Sequence, residues 1–202
     1  MKELSKLEIR DKYNQYAKWY DLVEGIAELI FRKYRRELMG KAHGKVLEVG
    51  IGSGRNLRYY PKDCEIYGID VSKEMLKRAG EKAEGLGIKI RLKEADAEKL
   101  PFKKGEFDCV VDTLGLCTYP NPIKALKEMK RVCKRDGKIL LLEHGESSNS
   151  FITRWQKKRE PKHSKIAGCH LLRNHTAIAK RAGLKIANEK RGFFGIVYVI
   201  EI

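Results

Sequence analysis

Three glycines at alternate positions follow an apolar strand in Lys45-Val46-Leu47-Glu48-Val49-Gly50-Ile51-Gly52-Ser53-Gly54. No other feature of the 202 residues constrains the fold as tightly. A strand that runs straight into a glycine turn places bare backbone at the carboxyl edge of a parallel sheet, where nucleoside ligands bind. The next apolar run, Ile66-Tyr67-Gly68-Ile69, ends in Asp70, an acid placed to accept from ribose hydroxyls.

Elsewhere strands and helices alternate. Val23, Ile26, Ile30, Tyr34 and Leu38 recur at steps of three or four, which predicts a helix over 13–39 stopped by Gly40. Near-continuous apolar runs predict strands over 46–49, 66–69, 88–92, 107–112 and 138–142. A short helix over 55–60 ends at Pro61. Ser72 caps a helix running to about Ala83, and a helix over 122–133 precedes a turn at Arg135-Asp136-Gly137. A helix over 176–182 stops at Gly183. The final segments, 184–187 and 194–202, are joined too closely to be parallel neighbours and predict an antiparallel pair. The expected fold is α/β: a seven-stranded sheet, mostly parallel with one antiparallel strand, and helices on both faces.

The glycine spacing narrows the ligand. A dinucleotide site wants a third glycine where Arg55 stands, and no phosphate-binding lysine follows the loop. Glu48 would repel a pyrophosphate and suits a cationic ligand. Four motifs in order then resemble the class I S-adenosylmethionine-dependent methyltransferases. They are the glycine loop with Glu48, the strand ending in Asp70, the run Glu94-Ala95-Asp96-Ala97-Glu98 before Leu100-Pro101-Phe102, and Phe107-Asp108-Cys109-Val110-Val111.

The resemblance implies a Rossmann-like sheet and S-adenosylmethionine as cofactor, leaving S-adenosylhomocysteine as product. It implies that Gly50, Ile51, Gly52, Gly54 and Asn56 form the cofactor loop and that Glu48 holds the methionine end, directly or through water. Asp70 takes the ribose, and Val71 and Met75 flank the purine. Asp96 reads the adenine amine beside the Ala97 amide, and Glu98, Asp112 and Thr113 complete the shell. Asp70 or Asp96 taken alone reads equally as a cap or turn residue.

The acceptor is less legible. The run Asp112-Thr113-Leu114-Gly115-Leu116-Cys117 lacks the Pro-Pro-aromatic loop of base-modifying amino methyltransferases, which lowers a nucleic-acid reading. His144, at the end of strand five, is the candidate base or acceptor-positioning group; a histidine bonded to a loop carbonyl is the plainer reading. Tyr13 to Asp21 resembles the lid of quinone-type and phosphatidylethanolamine methyltransferases. This resemblance divides the chain into a helical lid, 1–40, and a cofactor-binding domain, 41–202. Tyr16 and Tyr20 would close over the sulfonium, with Tyr20 at the reacting centre, or else simply pack the helix onto the domain. Leu114 to Cys117, Glu143-His144, Trp155-Gln156 and Gly168-Cys169 with Arg173 also resemble alkyl-thiol S-methyltransferases. The expected activity is methylation of a small or lipid-like acceptor: a thiol, an amine headgroup or a quinone-like carbon. The alternative is an RNA methyltransferase.

Charge bears on that choice. Between 151 and 192 stand twelve Lys and Arg against two acids, so +10 of the net +16 lies there. That density fits an ion-pair-laced, thermophile-like surface, a contact with an anionic membrane, or phosphate contacts to nucleic acid. Few aromatics interleave the charges, which suits single-strand stacking poorly. The five cysteines have no metal-ligand spacing, which predicts reduced thiols and no metal. The charged residues 2–12 and the brevity of the longest apolar run, 193–200, predict a cytoplasmic chain without a signal core or span.

Overall fold

Alternate side chains of β1 (Lys45–Val49) enter two separate buried clusters, Val46 on one face and Leu47 and Val49 on the other. A strand buried on both faces belongs at the centre of a sheet. In the computed structural model, which describes residues 4–23 and 25–202, β1 pairs in parallel with β2 (Glu65–Asp70) and β4 (Phe107–Thr113). β3 (Ile90–Glu94) lies beyond β2, and β5 (Cys133–His144) lies beyond β4, both parallel. β7 (Val197–Glu201) runs antiparallel to β5 and to β6 (Asn188–Gly192), giving the order β3-β2-β1-β4-β5-β7-β6. The single reversed strand near the edge matches the expectation from sequence.

The two clusters continue into the helices. α2 (Gly25–Met39) and α3 (Lys73–Gly85) supply Leu38, Met39, Ala79 and Ala83 to one face. α4 (Pro122–Val132) and α6 (His175–Arg181) supply Leu126, Met129 and Ala179 to the other. α1 (Lys6–Val23) packs against α3, and α5 (Ser150–Ala167) follows β5. Strand order reverses between β1 and β4, so the loops after them open into the crevice where ligands bind in such sheets.

Several expectations are corrected. The helix expected over 13–39 is two helices, and the first begins at Lys6. β3 sits two residues later than expected. The expected turn at 135–137 lies inside β5 as an irregularity: Phe107 faces Cys133 while Cys109 faces Lys138. The last hairpin uses Asn188–Gly192, not 184–187, because Leu184 and Ile186 pack in the core instead. β6 is an exposed, charged edge strand, so it lacks the apolar signature of a buried one.

Candidate functional site

The turn after β1 is tied to the end of β2. Ile51 donates its N–H to the Ile69 carbonyl at 2.9 Å. Asp70 Oδ2 accepts from Gly52 N–H and its Oδ1 from Ser72 N–H, both at 2.9 Å. Ser72 then caps α3 by accepting from Met75 N–H at 3.1 Å. Burial raises the Asp70 pKa above the usual carboxylate range, and these N–H donors oppose the rise.

A cavity runs along this edge. It is lined by Gly50, Gly52, Asp70 and Val71 after β1 and β2, by Ala97 after β3, and by Thr113, Gly115 and Tyr119 after β4, with Met75 from α3. Lys6, Ile9 and Tyr13, one face of α1, complete the lining. Gly50, Gly52, Asp70, Val71, Met75, Ala97 and Thr113 were all expected here. The spacing of Lys6, Ile9 and Tyr13 could have identified the α1 face, had the helix been extended towards the N-terminus.

Two of the glycines do different work. Gly52 has φ +55° and nothing within 4 Å of an added Cβ, so its missing side chain leaves cavity space. A Cβ on Gly54 would lie 2.7 Å from Leu57 Cδ1 and 3.2 Å from Ala79 Cα, so that glycine serves packing against α3. Ile51 likewise faces inward, packing on Gly68.

Glu48 and Asn56 lie behind the loop rather than in the cavity wall. Glu48 is buried and accepts from Asn56 Nδ2 at 2.7 Å and from the Tyr60 hydroxyl at 2.8 Å. Arg35, from α2, donates to Asn56 Oδ1 at 2.7 Å and to Thr113 Oγ1 at 3.1 Å. Burial pushes the Glu48 carboxyl up to about 7 against those hydrogen bonds and the Arg35 charge. Glu48 is not among the residues that line the cavity, and each of its oxygens accepts a hydrogen bond from the network that supports the turn. The sequence did not flag Arg35, which the α2 packing brings in from a distant part of the chain.

Asp96 stands at the rim. It accepts from Lys6 Nζ at 2.6 Å and from Glu98 N–H at 2.8 Å. Glu98 pairs with Lys6 at 3.0 Å and accepts from Asn121 N–H at 2.8 Å, which joins α1 to the start of α4. At the β4 side, Asp112 Oδ2 and the Tyr119 hydroxyl are buried without a hydrogen bond of normal geometry among the described residues. Burial raises both the Asp112 and the Glu143 carboxyls, and the Asp112 charge raises Glu143 further. The side chains of Tyr16 and Tyr20 lie outside the described residues.

A second cavity, about 300 Å³, adjoins the first through shared walls at Ile9, Thr118 and Pro120. The end of α5, with Pro161, Ser164 and Lys165, and the following Gly168, His170 and Arg173 line it. Beside it, His144 Nε2 lies 2.8 Å from Cys169 Sγ. Cys117 joins this pair, although its sequence spacing carried no metal signature. Among the described residues, no helix is long and apolar enough to cross a membrane.

Residues 47–141 match the methyltransferase domain family. A phosphatidylethanolamine N-methyltransferase of Cereibacter sphaeroides is 35% identical over 133 residues, covering 64% of this chain and 66% of that one. A ubiquinone/menaquinone biosynthesis C-methyltransferase of Pseudomonas paraeruginosa is 31% identical, covering 69% of this chain and 57% of that one. The chain thus spans just under two thirds, and just over half, of these relatives. The solved structure of a SAM-dependent methyltransferase from Aquifex aeolicus shares the fold, with TM-score 0.64 and 21% identity over 84% of this chain and 87% of that one. The sheet order, the cavity at its reversal point and these relatives converge: residues 47–141 form a methyltransferase domain of the class I S-adenosylmethionine-dependent kind.

Proposed function

We propose that this chain transfers a methyl group from S-adenosylmethionine to a small or amphipathic acceptor: a thiol, an amine headgroup or a quinone-like carbon. The observation that carries the reading is Asp70, fixed by two backbone donors in the wall of a cavity spanning four strand ends. Two features suit the cofactor. Open space beside Gly52 leaves room for close approach, and the Tyr119 hydroxyl in the cavity wall offers a polar partner to an amino-acid tail. When bound, S-adenosylmethionine supplies a sulfonium methyl already activated for displacement. The protein's part is alignment and exclusion of water.

In this reading Asp70 holds the ribose, Val71 and Met75 flank the base, and Ala97 with the rim acid Asp96 reads the adenine edge. Gly50, Gly52, Thr113 and Tyr119 surround the methionine end. Glu48, Asn56 and Arg35 act indirectly, by keeping the turn rigid. Residues 1–40 act as a lid on 41–202, with Lys6, Ile9 and Tyr13 as its inner face. The second cavity takes the acceptor, with Thr118, His170 and Arg173 as polar groups in its wall and His144 beside it.

The relatives named above support a lipid-like or quinone-like acceptor. A second observation favours work at a membrane surface. Phe151, Trp155, Phe193 and Phe194 are exposed, Phe151 and Phe194 by 82% and 65%. Ser147 Oγ donates to the Phe194 carbonyl and Asn149 caps α5, so the turn at 193–194 stands beside the start of the basic helix. Exposed aromatics next to lysines and arginines suit an anionic interface. The test is a screen with labelled methyl donor against alkyl thiols, amine lipids, quinone precursors and RNA. Label in one of the first three supports the proposal; label in RNA alone overturns it.

A further inference from the structure

We propose that Cys117, His144 and Cys169 form a binding site for one thiophilic divalent ion of the zinc class, with a fourth position left for an outside ligand. The inference goes beyond the methyl-transfer reading and does not depend on it. One donor atom from each residue lies within 4.8 Å of the other two. Zinc bonds of about 2.3 Å to sulfur and about 2.0 Å to nitrogen set tetrahedral edges of roughly 3.5–3.8 Å. The three atoms are therefore clustered on the scale of one face of such a tetrahedron. Loading requires the 2.8 Å contact between His144 Nε2 and Cys169 Sγ to open, by about 0.7 Å on those bond lengths.

Three distant segments deliver these ligands, and each is anchored by its backbone. Glu143 accepts the N–H groups of Gly115, Leu116 and Cys117 at 3.0, 3.1 and 3.3 Å, which fixes the loop carrying Cys117. His175 Nε2 lies 2.9 Å from the His144 carbonyl and holds the end of β5. Gly168 ends α5 in the left-handed region, φ 69°, and turns Cys169 inward. His170 N–H then bonds the Cys117 carbonyl at 3.0 Å, joining two of the segments directly. Such outer partners are what a metal site needs to keep its ligands aimed.

The donor set specifies the ion. Two thiolates and a neutral imidazole balance the charge of a divalent ion and suit soft or borderline metals, whereas magnesium and calcium want oxygen. Three protein ligands with one open position is the arrangement of catalytic rather than structural zinc. Thr118, Gly168 and His170, the sequence neighbours of two ligands, line the second cavity, so the cluster lies beside it.

The test uses the full chain, reduced and stripped of metal, titrated with Co²⁺ alone and then Zn²⁺ alone. The expected result is one equivalent of Co²⁺ with thiolate-to-metal charge-transfer absorption, displaced by Zn²⁺. Zn²⁺ should also protect two of the five thiols from a thiol reagent. Cys117→Ser and Cys169→Ser should each weaken binding beyond the 10–100-fold typical of losing an outer-shell partner. Absence of the absorption, no thiol protection, or equal binding by the double variant overturns the proposal. Thiol protection in the unaltered chain reads the same outcome if a variant fails to fold. S-adenosylmethionine affinity, measured on the metal-free chain, separates failure of this site from failure of the methyl-transfer reading.

Discussion

Asp70 Oδ2 accepts the Gly52 N–H at 2.9 Å, so the acid that ends β2 and the turn that leaves β1 form one unit. That link makes the glycines separable by experiment. Gly52→Ala places a methyl in open cavity at positive φ, so it should cost about 1 kcal/mol of stability yet weaken S-adenosylmethionine strongly. Gly54→Ala meets Leu57 and Ala79 and should mainly lower the melting temperature. Paired calorimetric titration and thermal melts distinguish the two; equal affinity for Gly52→Ala and the parent chain would remove Gly52 from the ligand wall.

Lys6 ties α1 to Asp96 and Glu98 at the cavity rim. The Lys6 side chain is 39% exposed, so the link is worth at most about 1 kcal/mol and weakens with salt. Lys6→Ala should speed proteolysis of the first helix and raise the dissociation rate of S-adenosylmethionine by no more than about fivefold. Protection of α1 by the ligand, equal in both chains, would show that α1 engages the ligand without this pair.

Glu48 predicts a pH signature. Its carboxyl is raised from 4.5 to about 7, chiefly by burial. Between those values the folded chain holds a proton that the unfolded chain releases, so stability falls as pH rises through the window and levels off above it. The loss amounts to about 3 kcal/mol. Glu48→Gln should abolish that part of the slope. Denaturant melts of both chains from pH 4.5 to 8 check it, and parallel curves would contradict the assignment.

Much of this arrangement was legible before the fold was known, because buried strands carry apolar runs and the glycine turn has few alternatives. Val46 to Asp70 announced itself that way. Lys6 to Lys12 did not, since a helix that covers a site with one narrow face shows mostly charge. β6 was hidden for the same reason at the sheet edge. Arg35 under the turn and the meeting of Cys117, His144 and Cys169 arise only when distant segments pack, and no local spacing encodes them.

The aromatic rim makes a separate prediction. Phe151→Ser with Phe194→Ser should reduce binding to vesicles containing anionic lipid, while leaving affinity for S-adenosylmethionine unchanged. Sedimentation with vesicles of anionic and of neutral lipid reads it. Equal sedimentation of parent and variant would place the membrane contact elsewhere or nowhere.

The most direct measurement is calorimetric titration of S-adenosylmethionine into the parent chain and into Asp70→Ala. The expected result is one site per chain, and a loss of roughly ten- to a hundredfold on removing hydrogen bonds from a charged acceptor. No binding by the parent chain, or undiminished binding by Asp70→Ala, would contradict it.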